Sequence, residues 1–253
     1  MSLSFRQSDI LNIARQDGRV MVDDLATQFG VTVQTIRRDL SELADLGKLD
    51  RVHGGAVIRS GVSNIGYEDR RALNDEAKAR IASACALDIP DGASVFMNIG
   101  TSTEAVARQL VNHKNLMVVT NNMNVANILA ENADCEIVVA GGVLRRSDGG
   151  LVGNLTVTTM RHFKFDYAVI GCSALDADGD LLDFDFQEVQ VSQTILAQTR
   201  RTFLVADHSK FQRAAPARIT SLAEIDTFYT DRPLSIRLSK RCQEWKTDLR
   251  VCQ

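Results

Sequence analysis

A chain of 253 residues is too long for one small module and suits one small plus one larger domain. With 45% hydrophobic and 24% charged residues it is globular in composition, which excludes extended disorder, and its longest apolar runs, such as 137–140, are far too short to span a bilayer. A net charge of −3 excludes nucleic-acid binding by bulk basicity: in the first 60 residues Arg6, Arg15, Arg19, Arg37, Arg38, Lys48, Arg51 and Arg59 are matched by Asp9, Asp17, Asp23, Asp24, Asp39, Glu42, Asp45 and Asp50.

The opening MSLSFRQSDI lacks the apolar core of a signal peptide, so a cytoplasmic location is expected. Apolar residues at Ile10, Leu11, Ile13 and Ala14 predict a first helix over about 7–14, ended by Gly18. VDDLATQF predicts a second, with Asp23 and Asp24 at the positive end of its dipole and Leu25, Ala26 and Phe29 inward. Gly30 suits the tight turn that follows, and Thr32 can N-cap a third helix running to about Leu46. Val33, Ile36, Leu40 and Leu43 form its apolar stripe, which leaves Gln34, Thr35, Arg37, Arg38 and Ser41 facing outward. Two helices joined by a short Gly-containing turn are a DNA-reading arrangement, in which the second helix enters the major groove. Gln34 is suited to adenine, and an arginine to guanine or phosphate. Asp39 would repel phosphate, so pairing with a nearby arginine is its expected role. The segment KLDRVHGGAVIR then reads as a hairpin turning at Gly54-Gly55, a wing whose Lys48, Arg51, His53 and Arg59 border the DNA backbone.

Residues 61–74 are polar, Gly-containing and aperiodic, and read as a linker between a winged helix-turn-helix over 1–60 and a second domain over 75–253. A helix is expected over about 75–87, with a turn at Pro90-Asp91-Gly92. Apolar strands then alternate with polar loops and helices: SVFMNI, LMVVT, CEIVVA, FDYAVIG and RTFLVA are the strands, and a helix is expected from about Phe186 to Ala197. Such alternation predicts an α/β domain with a mainly parallel sheet, which binds ligands at the carboxyl ends of its strands. The polar sequences fall at those ends. Gly100, Thr101, Ser102 and Thr103 supply backbone N–H groups, hydroxyls and a helix N-terminus, the components of a phosphate site. Asn121, Asn122, Gly141, Gly142, Arg145, Asp148, Gly149, Gly150, Asp176 and Lys210 are expected to ring the same face, with Lys210 as a cation for phosphate and Asn121, Asn122 or Asp176 bonding hydroxyls. After Asp231, Lys240-Arg241 and Trp245 mark a closing helix. Five cysteines without a CxxC pair, and four dispersed histidines, indicate free thiols and neither metal nor cofactor.

The string VTVQTIRRDLSELADLGKLDRVHGGA resembles the N-terminal signature of the DeoR family of bacterial repressors. NIGTSTEAVA, VTNNMNVANILAE, AGGVLRRSDGGLVG, GCSALDADGDLLDFDFQEV and LVADHSKF extend the resemblance over nearly the whole chain, toward the branch that represses a glycerol-3-phosphate regulon. The resemblance implies a sensor domain related to ribose-5-phosphate isomerase. It also implies release from double-stranded operator DNA by a small phosphorylated metabolite, glycerol 3-phosphate or a sugar phosphate. Two positions depart from the family pattern: Asn98 stands where Asp is frequent, and Ser192 and Gln193 stand in place of a basic pair. The competing expectation is a sugar-phosphate isomerase with a DNA-binding appendage, with Glu188 and Asp176 or Asp178 as its acids and bases. Because operators are read as repeated half-sites, a dimer or tetramer is expected.

Overall fold

The computed structural model describes residues 3–17, 19–52, 54–58 and 66–253. The N-terminal part comprises α1 (Phe5–Asp17), β1 (Arg19–Met21), α2 (Val22–Phe29), α3 (Val33–Asp45), β2 (Leu49–Val52) and β3 (Gly55–Ile58). α2 ends at Gly30, whose φ of 62° is the left-handed conformation that disfavours any side chain with a Cβ. Thr32 then caps α3, its Oγ1 accepting the Thr35 N–H at 3.2 Å. Ile36, Leu40 and Leu43 of α3 are buried in one core with Ile10, Leu11 and Ala14 of α1, Leu25 of α2 and Leu49 of β2. Asp39, also buried, pairs with Arg6 at 2.5 Å, so a carboxylate on the inner face has its counter-charge. The wing gains a strand that the pattern did not announce: β1 pairs with β3, giving the order β1-β3-β2. Three residues are too few to show a period of two.

The expected linker is not uniformly irregular, because α4 (Tyr67–Ala72) forms inside it. The larger domain continues with α5 (Asp75–Leu87), β4 (Ser94–Met97), α6 (Thr101–Leu110), β5 (Leu116–Thr120), α7 (Met123–Leu129), β6 (Cys135–Val139), β7 (Val143–Arg145), β8 (Gly150–Val152), α8 (Asn154–Met160), β9 (Phe165–Ile170), β10 (Ala174–Leu175), β11 (Asp180–Asp183), α9 (Phe186–Ala197), β12 (Thr199–Val205), β13 (Ala217–Ser221), β14 (Thr227–Thr230), α10 (Ile236–Trp245) and β15 (Asp248–Val251). A 3-10 turn follows β12 at His208–Gln212.

The central sheet runs β15-β14-β12-β9-β4-β5-β6, and every pairing in it is parallel. Successive strand residues point to opposite faces. Phe96, Ala168, Ile170, Leu204 and Phe228 meet α8, α9 and α10 on one side. Val95, Met97, Val169, Phe203 and Tyr229 meet α5, α6 and α7 on the other. Burial on both faces explains why these strands read as continuous apolar runs. From β4 the chain builds outward through β5 and β6, and from β9 it builds the other way, through β12, β14 and β15. The boundary between β4 and β9 is therefore the topological switch point, where a parallel sheet leaves a crevice at its carboxyl end.

Candidate functional site

The face expected to read DNA is a continuous surface of helix and wing. On α3, Gln34, Arg37, Arg38 and Ser41 are exposed and Thr35 is half-buried; Lys48 and Arg51 are exposed beside them. Arg37 carries no side-chain partner among the described residues, whereas the Arg38 Nε donates to Glu42 at 3.0 Å. The Arg51 Nη1 donates to the Ser41 Oγ (2.6 Å) and to the Arg37 carbonyl (3.1 Å), so the wing is tied to the middle of the reading helix. Thr35 shares its hydroxyl with the Thr32 cap at 2.9 Å. Arg37 and Gln34 are thus the freest to reach bases, while Ser41 and Arg51 hold each other in place. His53 and Arg59 lie outside the described residues.

The second site is a pocket at the switch point. The end of β4 supplies Ile99, Gly100, Thr101 and Ser102, the end of β9 supplies Gly171, Cys172 and Ser173, and Arg70, Asp183, Glu188 and Lys210 complete the wall. An adjoining cleft shares Arg70 and Asp183 and adds Tyr67, Arg145, Asp148 and Asp185. Gly100 has φ 154° and ψ 150°, a region open in practice to glycine alone, and it turns the chain from β4 directly into α6. Gly100, Thr101 and Ser102 thus bring the N-terminus of α6 to the pocket wall, the setting in which anions bind. Thr103 serves the loop instead: its hydroxyl is buried and bonds the carbonyls of Asn98 (2.8 Å) and Gly100 (2.7 Å).

Positive charge concentrates here without full neutralisation. Lys210 is buried and its ammonium is pulled down to about 8, first by burial and then by repulsion from Arg213, with Arg70 adding to it. Burial likewise lowers Arg213, whose Nη1 has no hydrogen-bond partner. Asp207 offsets part of this field. Opposite stand the acids. Asp183 accepts from the Ser173 hydroxyl at 2.9 Å. Glu188 is pushed up to about 8 by burial, with Asp183 close by, despite its ion pair with Arg145 at 2.6 Å. A cationic end beside a carboxylate end fits a small anion carrying hydroxyl groups.

Several expected contacts resolve differently. Arg145 lines the adjoining cleft but is engaged within the chain: it bonds Asp148 twice (2.9 and 2.8 Å), Asp185 at 2.5 Å and Glu188 at 2.6 Å, fastening the β7–β8 ribbon to α9. Asp148 is its carboxylate partner and accepts the Gly150 N–H at 3.3 Å. Asn121 donates to the Leu151 carbonyl (3.0 Å) while its Oδ1 is buried without a partner, and Asn122 caps α7 and reaches Glu104 (3.3 Å); neither is among the residues that line the pocket. Gly141 and Gly142 pack against Leu155 and Thr156, away from it. Gly149 lies against the Asn124 side chain, and Gly150 against Ile99, where they support the pocket wall from behind. Asp176 closes the β10–β11 turn by accepting the N–H groups of Asp178 and Asp180, both at 2.9 Å. Tyr67, Arg70, Asp183 and Arg213 were not anticipated, since no local pattern marks a residue whose role depends on a distant strand end.

The departures from the family pattern also find places. Asn98 exchanges two hydrogen bonds with the Gly171 backbone, donating to its carbonyl (3.3 Å) and accepting its N–H (3.0 Å). A carboxylate could match that pair only when protonated. Ser192 is buried on α9, and Gln193 bonds the carbonyls of Arg218 and Ile219, so neither faces the pocket. Among the described residues no cluster of His, Cys, Asp and Glu is placed to hold a metal, and no helix is long and apolar enough to cross a membrane.

Comparison with known proteins finds two family matches along the chain. The DeoR-like helix-turn-helix domain matches residues 6–61, and the DeoR C terminal sensor domain matches residues 73–232. A glycerol-3-phosphate regulon repressor of Escherichia coli is 41% identical over 252 residues, covering 100% of both chains. One from Haemophilus influenzae is 44% identical over 253 residues, covering 100% of this chain and 98% of its own. Among solved structures, a ribose-5-phosphate isomerase in complex with phospho-erythronic acid aligns over 54% of each chain at 16% identity and a TM-score of 0.40. An initiation factor eIF-2B from Pyrococcus horikoshii covers 61% of this chain and 62% of its own, at 14% identity and a TM-score of 0.45. Likenesses that distant carry no argument about activity. The full-length relatives and the two domain matches do: the chain belongs to the DeoR family of transcriptional regulators.

Proposed function

We propose that this chain represses a glycerol or sugar catabolic operon and is released from operator DNA when a small phosphorylated metabolite, glycerol 3-phosphate first among candidates, occupies the pocket at the switch point. The observation that carries the reading is the junction of the Gly100–Ser102 loop with Lys210 and Arg70, with the charge of Arg213 bearing on both, in a chain that also bears an exposed helix of the reading type. The relatives named for a glycerol-3-phosphate regulon support the choice of effector. Glycerol 3-phosphate has the matching polarity: a dianion for the cationic end and two hydroxyls for Asp183 and Glu188. Release follows if the ligand binds the DNA-incompetent arrangement better and so shifts the population toward it. We read the chain as a homo-oligomer, because repeated half-sites call for a symmetric reader.

The test is operator binding titrated with phosphorylated C3 to C6 metabolites. Glycerol 3-phosphate is expected to weaken it. Release by a sugar phosphate alone would change the effector and leave the repressor reading standing, whereas release by none would remove that reading.

An isomerase reading draws on Glu188, a buried carboxyl held near 8 beside a pocket, which is a fair general base. Its ion pair with Arg145 argues against this, since the carboxylate is pinned to a structural hub. Turnover of ribose 5-phosphate by the parent chain, lost in Glu188→Gln, would establish catalysis; no turnover is expected.

A further inference from the structure

We propose that Arg70, on the short helix between the two domains, binds the effector's anionic group directly, and that α4 is the element through which an occupied pocket reaches the DNA-reading half. The inference rests on the reading of the pocket as an anion site. In chain order α4 is the first described element after the wing, Tyr67 following Ile58 by nine positions.

A six-residue helix has no stability of its own, and its attachments decide its position. Those attachments all lie on the sensor. The Tyr67 hydroxyl donates to Glu104 at 2.9 Å and accepts from Asn124 at 3.1 Å. The Lys78 ammonium bonds the carbonyls of Arg70 (2.6 Å) and Arg71 (3.2 Å) at the helix C-terminus, where a cation is favourable. The Thr101 hydroxyl points back to the Arg70 carbonyl at 3.4 Å, so the phosphate loop touches the helix backbone.

The Arg70 guanidinium itself is poorly satisfied. Its one ionic partner among the described residues is Asp148, at 3.3 Å, and Asp148 already takes two shorter bonds from Arg145. Its Nε is buried with no acceptor. It lines both the pocket and the adjoining cleft, and its charge bears unfavourably on Lys210 and Arg213. An unmet buried donor and mutual repulsion among three cations are adverse in the empty state. An oxyanion seated over Gly100–Ser102 relieves both at once, since a planar guanidinium matches it bidentately. Arg70 then exchanges a long contact with Asp148 for the ligand and takes α4 with it.

The experiment uses the full chain, glycerol 3-phosphate, calorimetry and hydrogen exchange. Arg70→Ala is expected to weaken ligand binding at least tenfold, with Arg70→Lys between it and the parent, and ligand is expected to slow exchange over Tyr67–Ala72 in the parent. Thermal melts identify a variant that has lost its fold, in which case Arg70→Lys carries the test. If Arg70→Ala binds within twofold of the parent while Lys210→Met does not bind, the inference fails and the anion site stands. Unchanged exchange over Tyr67–Ala72 with binding intact overturns the role of α4. A parent chain that binds no ligand overturns both the site and the inference.

Discussion

The reading face and the sensor pocket both rely on cations but hold them in opposite ways. Arg37, Arg38, Lys48 and Arg51 stand in water, where an empty site carries no penalty and the surrounding acids leave the domain without net charge. Arg70, Lys210 and Arg213 are drawn inward until they repel each other and leave donors unmet. Exposed charges give binding that weakens with salt and is steered over long distance. Buried charges give binding that depends on pH and is coupled to conformation, because the protein rearranges when the ligand relieves them. On this proposal, one chain carries exposed cations for DNA and buried cations for the effector.

Four changes probe that contrast. The largest effect is expected from Leu40→Ala, which empties a fully buried position under the reading helix: about 3 kcal/mol of N-terminal stability is lost. Operator binding should fail while calorimetry still detects the effector, and loss of both would show that the two halves do not fold independently. Lys210→Met comes next, removing the buried cation and weakening the effector by about 2 kcal/mol, roughly thirtyfold. Unchanged affinity in that variant would mean that the anion sits elsewhere. Arg37→Ala should weaken operator binding by about 1–2 kcal/mol without altering effector affinity. Should it also flatten the salt dependence by about one unit of slope, Arg37 contacts phosphate, not a base.

The smallest effect is that of pH. Lys210, at about 8, lies below its unfolded value of 10.5, so the empty sensor gains stability as pH rises between the two. A bound anion favours the protonated amine, and Glu188, also near 8, adds a negative charge as it ionises. Both act in one direction. Effector affinity should fall above pH 8, by up to about tenfold per unit for each of the two groups. A titration with no slope between pH 7 and pH 9 would show that neither group faces the ligand.

Local chemistry was the legible part. The α2 and α9 helices, the Thr32 cap and the apolar stripe of α3 follow from neighbours a few positions apart, whereas Asp39 called only for some arginine and the fold supplies Arg6 from 33 positions away. The same holds for Gly100, Thr101 and Ser102, whose hydroxyl-rich loop after an apolar strand is a local signal. Long-range partnership was not legible. Arg145 reads as a free cation until folding brings Asp185 and Glu188 against it. Asn121 and Asn122 read as ligand groups until the β8 carbonyl and Glu104 claim them. Tyr67 and Arg70 sit in a segment too short for helical periodicity, and only the fold brings them to the carboxyl end of β4.

The central claim is that pocket and operator draw on one conformational equilibrium, and thermodynamic linkage tests it most directly. The affinity for glycerol 3-phosphate should be measured on the free protein and on the protein saturated with operator DNA. The account predicts weaker ligand binding in the complex, by the same factor by which saturating ligand weakens operator binding. Equal ligand affinity in the two states would contradict it.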